Sequence, residues 1–262
     1  MFAYHVRFLS NRNIIPLRTE ALACIVVVYN KPMCAQTLLI VPAFNEEASI
    51  VSTIEALRPY AGDFDYLIVD DGSSDATSRL CEEHGYPHVT HVTNLGLAGA
   101  FRTGIKYAER HGYEYAVQFD ADGQHDPRYI ADLVAAAHGT GADIVIGSRF
   151  VDEEKPFTAR MAGSALITGI VKLTTGQVIH DPTSGMRLYG RRVIEVFAHG
   201  FDITPEPDTL ALLMRKGFSC VEVPVVMHER TAGKSYLTFS RSISYMARMC
   251  VSILFAQWYR SF

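Results

Sequence analysis

YAVQFDADGQHDP, residues 115–127, passes from a short apolar run straight into a cluster of acidic residues. Asp120, Asp122 and Asp126 lie within seven positions, with Gln124 among them. A short apolar run bounded by polar residues is typical of a buried strand. A buried strand that ends in carboxylates favours an α/β fold, because ligand-binding groups in such folds collect at the carboxyl ends of the strands.

The same alternation of short apolar runs and helical patterns extends from residue 37 to residue 149. Strands separated by helices of about 10–15 residues predict a mostly parallel, Rossmann-like sheet covered by helices on both faces. Parallel strands end at one edge, so we expect the acidic clusters that follow them to converge there. The predicted strands are TLLIVPAF (37–44), DYLIVDDGSSD (65–75), which ends in acid, HVTN (91–94), YEYAVQFDAD (113–122) and DIVIGSR (143–149).

The segments between and after these strands predict helices with recognisable ends. Asn45 is expected to cap the first helix, which Pro59 ends, and Pro127 is expected at the start of the fourth. The predicted helices are 45–60, 75–84, 96–112, 127–139 and 160–173. Residues 181–197 predict a loop, a strand and a helix, and residues 217–230 predict a long strand.

Charge and cysteine content exclude several functional classes. The chain of 262 residues has a net charge of −4, so we expect no nucleic-acid partner. Residues 231–262 carry four basic residues and no acidic one, which favours a localised anionic partner. Five widely spaced cysteines without a C-x-x-C pattern indicate reduced thiols in a cytosolic protein and no zinc site or disulfide framework.

Asp120 and Asp122 are separated by one residue, so both carboxylates can reach one cation at a strand end. Oxygen ligands suit Mg²⁺ or Mn²⁺, and Gln124 could add a carbonyl oxygen. The alternative is a solvated loop whose acids cap the next helix, an interpretation that suits Asp126 before Pro127. A lone D-x-D pattern is common, but together with VDDGS and VPAFNEE at the ends of other predicted strands it is specific.

A second acidic pair, Asp70 and Asp71, also follows a predicted strand. A carboxylate at that position can bind a ribose hydroxyl or a base amide, and Gly72 permits the tight turn that follows. The alternative role, a helix N-cap, suits Ser74 or Asp75 better than Asp70.

These motifs resemble those of family 2 glycosyltransferases with the GT-A fold, and within that family the dolichyl- or polyprenyl-phosphate sugar synthases. The resemblance covers about residues 37–236. It is carried by VPAFNEE (41–47), VDDGSSD (69–75), NLGLAGAFRTG (94–104), FDADGQHDP (119–127), GSRFV (147–151), DPTSGMRLY (181–189) and EVPVVMHERTAGKS (222–235).

The resemblance implies a donor site for a nucleoside-diphosphate sugar. Pro42, Phe44 and Glu46 would line the nucleotide pocket, with Asp70 and Asp71 near the base or ribose. Phe44 stands where family members usually have tyrosine, so a hydroxyl contact is missing there. The metal segment, Asp120, Asp122 and Gln124, would hold Mg²⁺ or Mn²⁺ on the donor diphosphate, with Asp122 also counted among the catalytic residues.

The resemblance also implies a cationic site for the acceptor phosphate. Arg149, Arg160 and Ser164 would meet that phosphate, and Arg230 and Lys234 would lie on a basic loop that closes over the diphosphate. Arg149 and Arg230 would be catalytic through their charge. The alternatives are a surface ion pair for Arg149, a helix-surface charge for Arg160, a packing role for Ser164 and a solvated loop for the last two.

The implied reaction is a metal-dependent hexosyl transfer that inverts the anomeric carbon. A polyprenyl phosphate of the dolichyl or undecaprenyl type is already ionised near neutral pH, so positioning and electrostatics should dominate over base catalysis. The alternative is a soluble family 2 enzyme in cell-wall or surface-polysaccharide synthesis. It would transfer to a glycan hydroxyl and need a base, for which Asp122 and Glu206 are the candidates.

Other classes fit less well. A nucleotidyltransferase would need a glycine-rich loop with lysine after the first strand, where this chain has PAFNEE. A Rossmann dehydrogenase would need G-x-G-x-x-G in the same place. An inactive sugar-nucleotide-binding subunit would not need the metal-binding acids. The sugar and the base of the donor stay open.

We expect three segments in the chain. Residues 1–34 form an N-terminal extension, either disordered or added by a start site assigned too early. Residues 35–236 form the glycosyltransferase domain. Residues 237–262 form a basic amphipathic helix that lies on the inner face of the cytoplasmic membrane or binds a partner, such as a small membrane protein.

The helix over residues 241–254 is expected to have an apolar side and a polar side. The apolar side comprises Ile243, Met246, Ala247, Cys250, Ile253 and Leu254, and the polar side comprises Arg241, Tyr245, Arg248 and Ser252. The alternative is a helix that packs on its own domain. No apolar run in the sequence reaches the roughly 18–20 residues that a spanning helix needs.

Overall fold

The computed structural model describes residues 25–27, 36–151, 159–200, 204–228 and 239–255. Its strands are β1 (Ile25–Val27), β2 (Thr37–Ala43), β3 (Asp65–Asp70), β4 (His88–Thr90), β5 (Tyr115–Gln118), β6 (Ile144–Ser148), β7 (Arg187–Gly190) and β8 (Cys220–Pro224). Its α-helices are α1 (Ile50–Leu57), α2 (Thr77–His84), α3 (Gly96–Arg110), α4 (Tyr129–Thr140), α5 (Ala159–Thr175), α6 (Arg191–His199), α7 (Pro207–Arg215) and α8 (Phe239–Leu254).

The strands form one sheet in the order β1-β4-β3-β2-β5-β7-β6-β8. Strands β4, β3, β2 and β5 are parallel neighbours, and β6 is parallel to β8. Strand β7 runs antiparallel between β5 and β6, and β1 runs antiparallel to β4. Six strands therefore end at one edge, where β7 begins. The prediction of a mostly parallel sheet is confirmed.

Two hydrophobic clusters cover the two faces of the sheet. On β2, Leu38 and Ile40 belong to one cluster, while Leu39 and Val41 belong to the other. Burial on both faces explains why this strand is apolar without alternation. Gly104 of α3 lies against Ile40 so closely that an added Cβ would collide with its side chain. Helices on both faces are confirmed.

Three predicted boundaries are wrong. The first helix begins at Ile50 because the preceding residues bond to the loop after β3, and Asn45 has a left-handed backbone (φ 56°) instead of a cap conformation. The strand predicted at 91–94 is β4, which ends at Thr90, where the His91 N–H reaches the carbonyl of Asp70. The long strand predicted at 217–230 is the five-residue β8.

The C-terminal helix α8 packs against α5 and α7. Met249 and Ile253 are buried in the core cluster. The Tyr245 hydroxyl donates to a carboxylate oxygen of Glu206, and Ser252 Oγ donates to Asp208 Oδ2 at 2.6 Å.

The expected division of the α8 face is therefore wrong at three positions. Tyr245 and Ser252, which we assigned to the polar side, face the domain because their hydroxyls meet carboxylates there. Ala247, which we assigned to the apolar side, is exposed. Within the described ranges, no helix has both the length and the apolar character needed to cross a bilayer.

Candidate functional site

The carboxyl edge of the sheet gathers the loops that the sequence singled out. Segments 44–49, 71–76, 119–128 and 149–151 follow strands that end at this edge, and segment 181–186 leads into β7 from the same edge. The acidic clusters after β2, β3 and β5 therefore lie at the same edge of the sheet, as the parallel arrangement predicts.

The loops after β2 and β3 are joined by hydrogen bonds. The backbone N–H of Asn45 donates to Ser73 Oγ at 2.9 Å, and Asn45 Oδ1 accepts from the N–H of Ser74 at 2.8 Å. Glu47 and the 75–76 turn exchange a second pair of bonds. These contacts hold the two loops in one rigid wall of the site, which is why the residues after β2 do not continue as helix.

The side chains proposed for the nucleotide pocket differ in exposure. Pro42 pairs with Val69 of β3, and Phe44 and Glu46 are partly exposed at the edge. An oxygen of Glu46, Oε2, accepts a hydrogen bond from Ser49 at 2.6 Å. The partly exposed ring of Phe44 offers an apolar surface to a planar base, and this role stays a prediction.

Asp70 and Asp71 point into the protein. Asp70 is fully buried, and its Oδ1 accepts from the N–H and the hydroxyl of Ser73 at 3.1 and 2.5 Å. Within the described ranges its Oδ2 has no hydrogen-bond partner. Asp71 Oδ1 lies 2.8 Å from His91 Nδ1 and also accepts from the N–H of Leu95 at 2.8 Å.

The expected place of Asp70 and Asp71 near the base or ribose of the donor stays a prediction. Both carboxylates are buried, and both shape the turns around them. Gly72 has a φ of +71°, and a Cβ there would lie 3.0 Å from the carbonyl carbon of Thr93. The close approach of these two turns requires glycine.

The D-x-D segment carries one accessible carboxylate and one buried carboxylate. The Asp120 side chain is 32% exposed, and its Oδ1 accepts from Gln118 Nε2 at 3.3 Å. Asp122 is buried, and its Oδ1 accepts from the N–H of Gln124 at 3.1 Å. Gln124 Nε2 donates to the carbonyl of His228 at 3.4 Å, so the amide links this segment to the chain after β8.

Both ring nitrogens of His125 lie close to Asp120. Its Nδ1 accepts from the backbone N–H of Asp120 at 3.0 Å, so a neutral imidazole carries its proton on Nε2. That nitrogen lies 3.6 Å from Asp120 Oδ2. His125 is buried with its ring edge on Phe119. These contacts make His125 a support for the Asp120 carboxylate.

The donor set fits a hard cation that binds together with a ligand. Asp120 and Asp122 supply oxygen atoms, which Mg²⁺ and Mn²⁺ prefer. Gly185 keeps space beside Asp120, since a Cβ there would lie 2.9 Å from Oδ2. Among the residues with a described structure, no group of three or more His, Cys, Asp or Glu side chains could hold a metal ion. Asp120 and Asp122 would hold such a cation together with oxygen atoms of a bound phosphate and water.

Arg149 and Asp181 form a bidentate ion pair beside this segment. Arg149 Nε lies 2.7 Å from Asp181 Oδ2, and Nη2 lies 2.9 Å from Oδ1. Burial alone would raise the pKa of Asp181, but the hydrogen bonds and charge of Arg149, with help from Thr183, lower that pKa below its ordinary value. Arg149 is therefore fixed by a partner that stays ionised.

Glu222 extends this pair and was not predicted. Its Oε1 accepts from the N–H of Asp181 at 2.8 Å, and its Oε2 accepts from the N–H of His180 at 2.7 Å and lies 2.8 Å from His180 Nδ1. A carboxylate inside the strand VEVP was the available signal, because a buried acid must have partners. Arg149 does form an ion pair, but its partner Asp181 is buried and not at the surface. Its contact with the acceptor phosphate stays a prediction.

Four predicted site residues remain to be placed, together with the predicted helix cap Asp126. Ser164 is buried on α5, so the packing interpretation fits it better than a phosphate contact. Asp126 Oδ1 accepts the N–H of Arg128 at 3.0 Å just before α4. The residue at the N-cap of α4 is Arg128, and the helix has no side-chain cap hydrogen bond. The side chain of Arg160, and Arg230 and Lys234 altogether, lie outside the described residues.

Comparison with known families accounts for this arrangement. Residues 38–197 match the family model described as glycosyl transferase family 2. The chain belongs to this family. The match includes the acidic segments after β2, β3 and β5 and the Arg149–Asp181 pair.

Two relatives cover most of the chain. It is 33% identical over 221 residues to a polyprenol monophosphomannose synthase of Mycolicibacterium smegmatis, covering 78% of this chain and 82% of the relative. It is 34% identical over 224 residues to an undecaprenyl-phosphate mannosyltransferase of Micrococcus luteus, covering 78% and 88%.

A solved structure shares the fold. Glucosyl-3-phosphoglycerate synthase of Mycobacterium tuberculosis, in complex with Mn²⁺, uridine diphosphate and phosphoglyceric acid, superimposes with a TM-score of 0.58. It is 19% identical to this chain and covers 84% of it and 78% of its own length. The GT-A fold is therefore confirmed, and the protein is a glycosyltransferase.

Proposed function

We propose that this protein transfers a sugar from a nucleoside-diphosphate sugar to a polyprenyl phosphate, with inversion at the anomeric carbon. The observation that carries this proposal is the meeting of two charged groups at one sheet edge. The carboxylates of Asp120 and Asp122 follow β5, and the fixed guanidinium of Arg149 follows β6, with only β7 between these strands. Two relatives whose names state a polyprenyl or undecaprenyl phosphate support the choice of acceptor.

On the donor side, Asp120 and Asp122 would hold Mg²⁺ or Mn²⁺ with the diphosphate. A divalent ion in this position neutralises the negative charge that collects on the leaving group. His125 keeps the Asp120 carboxylate in place through the backbone, and Phe44 presents its ring to the base. Arg230 and Lys234 would add positive charge to the diphosphate from the loop after β8.

On the acceptor side, Arg149 would position the lipid phosphate. Asp181 occupies its Nε and Nη2, so the guanidinium plane is fixed before the phosphate arrives. A phosphate monoester is already ionised near neutral pH and attacks without a general base. The protein therefore contributes alignment and charge, the two terms that dominate when the nucleophile needs no activation.

A glycan hydroxyl as acceptor would need a base, and Glu206 does not suit that role. Its carboxylate accepts a hydrogen bond from Tyr245 of α8 and faces the interior of the domain. Burial, then the charge and hydrogen bond of Glu206, raise the pKa of Tyr245, so the phenol stays protonated as the donor. The Glu206 carboxylate already accepts the hydrogen bond from Tyr245 and does not serve as a base. This favours a phosphate acceptor.

A transfer assay tests the proposal. Purified protein, Mn²⁺ and a short polyprenyl phosphate would be incubated with radiolabelled UDP- and GDP-sugars, and label would be counted in the organic phase. We expect label from one donor and a loss of about 100-fold or more in Asp122→Asn. Asp126→Asn is the matched control, because Asp126 bonds to the N–H of Arg128 just before α4, a contact that asparagine can keep, and the variant should keep transfer within about threefold. Equal loss in both variants, or no label with any donor, would refute the proposal.

A further inference from the structure

Arg187 of β7 is a buried cation close to the proposed acceptor site. The residue is only 3% exposed. Burial alone would lower the pKa of its guanidinium, but Tyr189 and the charge of Glu206 keep that pKa above its ordinary value. A buried charge is costly unless hydrogen-bond partners and an opposite charge compensate it. The partners of Arg187 therefore indicate the role of this cation.

The guanidinium of Arg187 joins two segments that are distant in the chain. Its Nη2 donates to the carbonyl of Pro182 at 2.5 Å, and its Nη1 donates to the carbonyl of Pro205 at 3.2 Å. Pro182 directly follows Asp181, the ion-pair partner of Arg149. Pro205 lies just before the start of α7. Arg187 therefore ties the turn that carries Asp181 to the start of α7.

The same turn is also held by Glu222. The two oxygens of Glu222 accept hydrogen bonds from the N–H groups of His180 and Asp181, whereas Arg187 binds the carbonyl of the residue that follows them. Charge-assisted hydrogen bonds of this kind are stronger than neutral ones. The position of Asp181, and with it the plane of the Arg149 guanidinium, therefore depends on both charged side chains.

Glu206 connects Arg187 to the C-terminal helix. The two side chains line one cavity together with Pro205 and Thr209. The Glu206 carboxylate accepts a hydrogen bond from the hydroxyl of Tyr245 on α8. In this part of the described structure, the carboxylate bonds to a phenol and the guanidinium bonds to two carbonyl oxygens, so each charge has neutral partners.

The bond from Tyr245 decides which partner Arg187 keeps. A carboxylate and a guanidinium in one cavity attract each other more strongly than either attracts a neutral group. Without the Tyr245 hydroxyl, Glu206 loses its donor and can pair with Arg187. The rigid guanidinium would then turn away from the carbonyl of Pro182, because its donors lie in one plane. That change would loosen the turn that carries Asp181.

We propose that Arg187 and Tyr245 are positioning residues that couple the docking of α8 to the acceptor site. When α8 is docked, Tyr245 occupies Glu206, and Arg187 stays on the turn beside Asp181. The inference rests on the proposed function for the identity of the acceptor, but the coupling is a statement about contacts inside the domain. Tyr245 therefore contributes to acceptor binding through Glu206 and Arg187, without contacting the phosphate.

Tyr245→Phe tests the coupling, because it removes the hydroxyl and keeps the ring. Ser252→Ala is the matched control. Ser252 donates to Asp208 between the same two helices, and Asp208 is not among the described residues that line the Arg187 cavity. Each variant deletes one hydrogen bond between α8 and α7, so a general loosening of α8 would affect both alike.

Hydrogen exchange of the full chain measures the coupling without any substrate. The backbone N–H groups of His180, Asp181 and Ser184 are hydrogen-bonded in this turn. We expect them to exchange at least about fivefold faster in Tyr245→Phe, and within about twofold of the wild-type rate in Ser252→Ala. Unchanged exchange in Tyr245→Phe, or the same increase in both variants, would overturn the proposal.

Steady-state kinetics with a short, water-soluble prenyl phosphate connects the coupling to the reaction. In Tyr245→Phe we expect the KM for this acceptor to rise by about threefold to tenfold, with kcat and the KM for the nucleotide sugar within about twofold. In an Arg149→Lys background the same substitution should add little, because the fixed plane is already lost. An equal rise in both KM values would refute a role at the acceptor site.

The two measurements also separate this proposal from the proposed function. A wild type that transfers no sugar to the prenyl phosphate would refute the proposed function, and hydrogen exchange would then decide the coupling alone. Faster exchange confined to Tyr245→Phe would support the coupling in either case.

Discussion

Arg149 and Asp181 lie 32 positions apart in the chain and form a two-point ion pair, with Nε to Oδ2 at 2.7 Å and Nη2 to Oδ1 at 2.9 Å. Asp181 is fully buried, whereas the Arg149 side chain is 28% exposed. A fixed guanidinium with one accessible side is suited to a phosphate, because the pair sets the orientation of the plane before binding. The pair therefore prepares the acceptor side of the proposed site.

Arg149→Lys should impair use of the acceptor. Lysine keeps the positive charge but cannot make the two-point contact with Asp181, so the cation loses its fixed orientation. We expect the KM for the polyprenyl phosphate to rise by about tenfold or more, with the KM for the nucleotide sugar within about twofold. Steady-state kinetics with each substrate varied in turn would measure this. An equal rise in both values would contradict a role confined to the acceptor.

The free energy of unfolding should fall in acid because Asp181 becomes protonated. Its pKa is lowered in the folded state from the ordinary value of 3.8, so its contribution to stability is fully present above about pH 5 and is lost as pH falls through 4 and below. Urea unfolding of the wild type and of Asp181→Asn at several pH values would measure the contribution. We expect the wild type to be more stable by about 1–3 kcal/mol at pH 7, with a difference that narrows in acid. A stability difference that widens in acid would show that folding raises the pKa of Asp181.

His125 should influence metal binding without touching the nucleotide. Asparagine in its place can present an acceptor near the position of Nδ1, whereas alanine leaves the Asp120 N–H without a partner. We expect His125→Ala to weaken Mn²⁺ binding in the presence of nucleotide by about tenfold and His125→Asn to recover part of the loss. Electron paramagnetic resonance would count free Mn²⁺. Equal effects of the two substitutions would exclude the proposed backbone contact.

Glu222→Gln should weaken acceptor binding indirectly, through the 180–181 corner and Arg149. Both oxygens of Glu222 accept hydrogen bonds from the 180–181 backbone, and the amide nitrogen of glutamine would face a donor. The 180–181 corner should loosen, and the KM for the acceptor should rise by about threefold to tenfold. Combining Glu222→Gln with Arg149→Lys provides the control. If both substitutions act through Arg149, the double variant should be little worse than Arg149→Lys alone. Fully additive losses would disprove an effect of Glu222 through Arg149.

The local pattern of the sequence determined the sheet and its active edge. Apolar runs such as 37–43 and 65–70, followed by acids, specify buried strands and the ends at which polar groups collect, since both properties depend on neighbours along the chain. The motif resemblance added the family, which the comparisons confirmed. The metal-binding role of Asp120 and Asp122 also began as a local observation and stays a prediction.

Only the tertiary structure decided which side chains meet across long stretches of chain. Asp71 contacts His91, 20 positions later in the chain, inside the protein. The local pattern around Glu222 indicated a carboxylate that needs partners but did not identify the 180–181 backbone as the partner. The exposed face of α8 depends on where the helix packs against α5 and α7. Helical and strand periodicity indicates which positions share a face. Burial against distant elements decides which face is buried, because packing energy depends on partners that the local sequence does not contain.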